Sequence, residues 1–207
     1  MLNLRFVSSW DDGGVEDMRL AQLLKKYNLP AIFFIPTCSP LRDKDIKELN
    51  KDFEIGGHTV SHPQDLQKLS REEMIREIVD NKIWLEETIG YPVTKFCYPR
   101  GRYNDEVTIA VQAAGFTSAR TTKVLQTKYS NPFQMPTSIH VFQRDEYKGK
   151  DWVEVARGMV LIAAQTNGIF HLWGHSAEIS KWKNWEKLEA FFKWLVENYK
   201  IVKGEAD

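Results

Sequence analysis

The sequence predicts an α/β fold: a compact, irregular β/α barrel of seven or eight parallel strands, forming a single domain over residues 1–207. Three observations predict it. Short apolar runs alternate with longer stretches of helical period along the whole chain, and parallel neighbours need a crossover that a helix supplies. The residues best able to do chemistry follow apolar runs, as they do in barrels whose site sits on loops at the strands' C-terminal ends. The length of 207 residues suits one sizeable domain, and no linker, composition shift or internal repeat divides it.

In chain order, strands are expected at residues 4–8, 31–35, 53–56, 95–98, 117–120, 138–142, 169–173 and 199–202. Helices are expected between them at 15–27, 44–50, 71–89, 105–114, 152–165 and 185–198. The clearest helix is 71–89, where Met74, Ile75, Ile78, Val79, Ile83, Trp84 and Leu85 form a broad apolar stripe. Ser70 with Glu73 makes a capping box at its start, and Gly90 before Tyr91-Pro92 is a good stop.

Composition removes several function classes. A chain that is 43% hydrophobic and 12% aromatic can bury a real core, so disorder is not a serious reading. Lys plus Arg (28) cancel Asp plus Glu (28), which argues against a nucleic acid or an anionic membrane held by bulk charge. The first residues lack a basic region followed by a long apolar stretch, so the expected address is cytoplasmic, although a chain trimmed of a leader would read the same. Two cysteines, Cys38 and Cys97, make no disulfide framework, and Cys97 in its apolar run suits a small buried side chain. Oligomeric state is left open.

Two segments carry the chemistry. Ser9-Trp10-Asp11-Asp12-Gly13 closes the first apolar run, and His58-Thr59-Val60-Ser61-His62 lies in a later loop or first helical turn, between Gly56-Gly57 and Pro63. One aspartate and two imidazoles make a three-ligand set for a divalent ion such as zinc, with positions left for water and substrate. The second aspartate is then free to act as a base, because adjacent residues leaving a strand point to opposite sides. In Ile169-Phe170-His171-Leu172-Trp173-Gly174-His175, the terminal His175 is placed to act as a general acid, while His171 deeper in the strand suits a hydrogen-bonded core role. His140 has no companion signal and reads as structural.

Together with Tyr98-Pro99-Arg100-Gly101 and the late Leu-Trp-Gly-His run, these motifs resemble the polysaccharide deacetylase family, carbohydrate esterase family 4, in order and spacing from about Leu4 to Val202. The resemblance implies a distorted β/α barrel that removes N-acetyl groups from aminosugar polymers with a divalent metal, usually zinc. Carried over by position, Asp12, His58 and His62 are the metal ligands, Asp11 the catalytic base and His175 the general acid. The family's third motif begins with an arginine that pairs with the base and ends with a tyrosine whose backbone N–H helps hold the oxyanion. Here those positions are Cys97 and Arg100; the N–H at position 100 survives the change of side chain, and Arg100 or Arg102 could reach Asp11 in place of the missing arginine. The fourth motif is half present as Asp151-Trp152, where Asp151 is equally suited to cap the following helix.

The expected function is therefore a metal-dependent hydrolase that removes N-acetyl groups from an aminosugar-containing oligo- or polysaccharide, with zinc, cobalt or another transition metal as cofactor. Tyr98, Tyr103 and Trp173 are candidates to contact the sugar, and Trp182 and Trp185 to wall a groove. Two rivals stand beside it: a hydrolase of a small amide such as an acylated monosaccharide or a ureide, and a non-catalytic carbohydrate-binding relative.

Overall fold

The computed structural model describes residues 1–204. Its centre is one eight-stranded sheet whose recorded pairings are all parallel. The strands are β1 (Leu2–Asp11), β2 (Ala31–Ile35), β3 (Glu54–Gly57), β4 (Lys95–Cys97), β5 (Ser118–Arg120), β6 (Ile139–His140), β7 (Ile169–Gly174) and β8 (Tyr199–Lys203). The helices are α1 (Asp17–Lys26), α2 (Asp43–Leu49), α3 (Arg71–Ile89), α4 (Asp105–Ala113), α5 (Trp152–Thr166), α6 (Ser176–Lys181) and α7 (Trp185–Asn198). All eight expected strands and six expected helices are present. The short α6 is an addition, too brief for its period to stand out in the sequence.

The sheet runs β5-β4-β3-β2-β1-β7-β6. Strand β1 pairs with β7 along one edge, through Arg5–Trp10, and shares its other edge between β8 at its start and β2 at its end. The sheet curls until its two ends approach. Met135 bridges Arg120 of β5, and a few residues later Ser138 and Val141 donate to His171 and Trp173 of β7. The result is the expected distorted β/α barrel, with its seam between β5 and β6.

Period two along the strands sorts side chains to the two faces. Leu4, Phe6, Trp10, Phe33 and Ile35 belong to the main core shared with the helices, whereas Val7, Ile32, Phe34, Cys97 and Ile169 form a second cluster inside the barrel. Asp11, in phase with Val7, therefore points inward at the top of the barrel.

Helix α3 begins with the expected capping box at Ser70 and Glu73 and ends on left-handed Gly90. Its buried face differs from the expected stripe. Met74, Ile78, Asn81, Leu85 and Thr88 are buried, while Ile75 and Ile83 are exposed. An asparagine in the middle of that face has a purpose that lies in the site.

Candidate active site

Strand β1 delivers two carboxylates to different environments. Asp11 is buried, whereas Asp12 is half exposed and takes a left-handed backbone, φ 75°. Gly13 follows at φ 59°, and a Cβ there would come within 2.8 Å of the Ser39 Cβ, so the turn demands glycine. The loop after β3 is also strained. Thr59 (φ 70°) and His62 (φ 52°) are left-handed, which is unusual for a β-branched residue such as threonine. This corrects the helical-turn option: His58 and His62 meet through a bent loop, not through helical spacing.

Hydrogen bonds from three sides hold that loop. The Thr37 and Cys38 N–H groups donate to the carbonyls of Thr59 and Val60, and Ser61 donates through its N–H and hydroxyl to the Glu77 carboxylate. Asn81 of α3 accepts from the His58 N–H at 2.9 Å and donates to the Ile35 carbonyl and the Thr37 hydroxyl, both at 3.1 Å. Removing the Asn81 amide strands these partners, each at about 1–3 kcal/mol if left dry. Asn81→Ala is therefore expected to lower the urea midpoint and weaken zinc binding together, whereas unchanged zinc affinity in the destabilised variant would confine Asn81 to folding.

The three expected ligands converge. The Nε2 atoms of His58 and His62 each lie 3.5 Å from Asp12 Oδ1. Donors bound to one tetrahedral ion at ~2.1 Å stand about 3.4 Å apart, so the spacing fits a zinc-sized ion. The His58 Nδ1–H donates to the Cys97 carbonyl at 2.8 Å, which orients the ring so that Nε2 faces Asp12. His62 is held below the usual imidazole pKa by burial and by neighbouring His58, which favours the neutral, ligating form.

His175 arrives from the end of β7, with Nε2 3.7 Å from Asp12 Oδ2. Its Nδ1–H donates to Glu178 at 2.9 Å. His171 lies two inward positions deeper, buried and hydrogen-bonded to the Ser9 hydroxyl at 2.8 Å. Burial, reinforced by Arg120, pushes its pKa down to about 3, so it stays neutral.

Asp11 is paired with Arg120, a residue the sequence reading passed over. Burial alone would raise the Asp11 pKa, but Arg120, with His58 and His175, outweighs it and keeps the carboxyl below its ordinary range. Neither arginine expected from the third-motif loop does this. Arg100 is exposed at φ 56°, and Arg102 donates to the Gln64 carbonyl and Asp65. The signal that finds Arg120 is strand register: β4 and β5 pair so that Cys97 sits opposite Arg120. The guanidinium crosses to Asp11 over the Cys97 sulfur, 2.7 Å from Nη2, with the Trp173 ring 4.7 Å from its carbon centre.

Two of the sugar-contact candidates are corrected by burial. Tyr98 is fully buried, donates its hydroxyl to the Phe133 carbonyl at 3.0 Å and stacks on Tyr103, whose ring is itself part-buried. Trp173 is buried between Arg120 and His140. Trp185 is buried too, whereas Trp182 is 51% exposed and lies against Phe142. Asp151 accepts from the Val153 N–H as the cap of α5, and its other oxygen pairs with Lys187.

Asp17, at the start of α1, is a carboxyl that sequence reasoning did not single out. It is fully buried, and burial, with Asp11 and Asp12 nearby, raises its pKa to about 7; the Ser176 hydroxyl tempers this without a well-formed hydrogen bond. Because the folded state holds this proton more tightly than the unfolded chain, the native fold loses stability as pH rises from about 4 to 7. In chelator-treated protein, Asp17→Asn should therefore gain on wild type through that window, by up to about 4 kcal/mol at 1.36 kcal/mol per unit, and level off above it. Urea midpoints at several pH values would show this; a difference independent of pH would contradict it.

A family model for polysaccharide deacetylase matches residues 5–119, more than half of the chain. The chain belongs to the polysaccharide deacetylase family. Among curated relatives, it is 29% identical over 109 residues to the peptidoglycan-N-acetylglucosamine deacetylase PgdA of Listeria monocytogenes, a match covering 51% of this chain but 23% of PgdA. Among solved structures, it resembles the Streptococcus pyogenes deacetylase PplD in complex with acetate (TM-score 0.59, 24% identity, 63% of this chain and 62% of that one). It also resembles the wild-type CE4 family pseudoenzyme BA3943 of Bacillus anthracis (TM-score 0.65, 17% identity, 96% and 63%). These two likenesses speak for the fold alone. The position where the resemblance expects an arginine is Cys97, and the residue opposite it on the next strand, Arg120, is the one that pairs with Asp11.

Proposed function

We propose that the protein is a metal-dependent hydrolase that removes N-acetyl groups from an aminosugar-containing oligo- or polysaccharide. The observation that carries this reading is the convergence of Asp12, His58 and His62 beside a separately paired Asp11, with His175 facing Asp12. Membership of a deacetylase family and the match to a peptidoglycan deacetylase support the substrate class.

Asp12, His58 and His62 would hold a divalent ion, zinc by the nature of the donor set. Such an ion would polarise an acyl carbonyl and lower the pKa of a bound water toward about 7. Asp11, kept ionised by Arg120, takes a proton from the attacking water. The Arg100 backbone N–H would face the oxyanion that forms on the acyl carbon. His175 then gives its Nε2 proton to the sugar nitrogen as the C–N bond breaks, because an amine leaves poorly unless protonated. Trp182, exposed beyond Phe142, and the part-buried Tyr103 are the remaining aromatic candidates for a sugar face.

The test is acetate release from N-acetylglucosamine oligosaccharides of increasing length, with and without a chelator. Release that a chelator abolishes and zinc or cobalt restores is the expected outcome. Hydrolysis of a ureide or simple amide without any acetylated sugar would favour the small-amide reading. Sugar binding without turnover on any substrate would make the chain a non-catalytic relative.

A further inference from the structure

Glu178 lies in the first turn of α6, three residues after His175, which caps that helix. Its side chain is 36% exposed, yet one of its oxygens faces two imidazoles. Oε2 accepts the His175 Nδ1–H at 2.9 Å and stands 3.2 Å from Nε2 of His140, a close approach without hydrogen-bond geometry. His140 is buried, with its ring 4.2 Å from Trp173 and 5.7 Å from His175. A surface glutamate hydrogen-bonded to one imidazole and packed close to a second, buried one is restricted in its rotamers.

We infer that Glu178 is the positioning residue of the acid, with the buried His140 ring packed beside the same carboxylate oxygen; the inference rests on the assignment of His175 above. Holding Nδ1–H on a carboxylate leaves Nε2 as the nitrogen that faces Asp12, and it blocks the ring flip that would exchange them. The proton balance agrees. When Nε2 gives its proton to the leaving nitrogen, the electron pair of the C–N bond stays on that nitrogen, and His175 is left as the neutral Nδ1–H tautomer that Glu178 already binds. A carboxylate oriented on the far nitrogen of a catalytic imidazole acts in the same way in hydrolytic triads. His140 thus gains a place beside the acid that its sequence context did not suggest, and Glu178 lies on α6, which the sequence did not reveal.

The experiment compares wild type, Glu178→Gln, Glu178→Asp and His140→Phe as zinc-loaded protein. Two readouts are taken: kcat and KM for acetate release, and the His175 tautomer from long-range ¹⁵N–¹H NMR of the imidazoles. Glu178→Gln is expected to lower kcat by roughly 10–100-fold, the usual effect of a lost outer partner, with KM and zinc content unchanged. At a pH high enough for His175 to have lost its Nε2 proton, its NMR spectrum should show His175 losing the single Nδ1–H form that wild type keeps. Glu178→Asp should recover part of both, and His140→Phe should shift both in the same direction by less. An unchanged tautomer in Glu178→Gln, or a loss that falls on KM or on zinc content, would overturn the inference. If wild type proves inactive on every substrate, the functional reading fails while the NMR comparison still decides whether Glu178 holds His175.

Discussion

Replacing Arg120 with alanine is expected to lower turnover by two or more orders of magnitude and to destabilise the fold by about 3–5 kcal/mol, the usual cost of stranding one member of a buried ion pair. The two losses share a cause. Asp11 and Arg120 are both buried, and without the guanidinium the cheapest state of the Asp11 carboxyl is the protonated one, which cannot accept a proton from water. The account predicts more than a loss. Because Cys97 is the register partner of Arg120, Arg120→Ala combined with Cys97→Arg would return a guanidinium to Asp11 from the neighbouring strand, ~4.8 Å away. The double variant should regain stability and part of the turnover. If it is no better than Arg120→Ala, the arginine serves only its own packing against Trp173 and Phe34.

The second large effect separates the chemistry from the scaffold. Asp11→Asn and His175→Ala should each reduce turnover by roughly 10²–10⁴-fold, the range for a lost general base or acid. Zinc content should stay at wild-type level, because neither side chain belongs to the Asp12, His58 and His62 set. His171→Ala should leave most of the turnover and lower the melting temperature, since it removes the partner of a buried Ser9 hydroxyl. Loss of turnover in a stable, zinc-loaded His171→Ala protein with His175→Ala unaffected would transfer the acid role to His171.

Periodicity carried most of the fold. The strands at Ala31–Ile35 and Ile169–Gly174 and the helix at Arg71–Ile89 follow apolar patterns long enough to read directly. The Asp–His cluster was legible for a different reason: Asp11-Asp12 and His58 to His62 are close in sequence, so each pair reaches the site as a unit. What escaped was assembled across the sheet. Arg120 ends a three-residue strand, where an arginine ordinarily faces water, and only the register with Cys97 turns it inward. Asn81 sat inside an apolar stripe whose phase was set by Ile75 and Ile83, both exposed in the fold. Tyr98 and Trp173 were chosen as aromatics near motifs, but their alternation places them in the barrel's packing. Glu178 needed α6, a helix of six residues.

The most direct test of the central claim is a titration of zinc into chelator-stripped protein while acetate release from an N-acetylglucosamine oligosaccharide is followed. Turnover should rise from near zero and break at one ion per chain, and His62→Ala should show no break in the same range. Full turnover in the stripped protein, or a break that survives in His62→Ala, would contradict it.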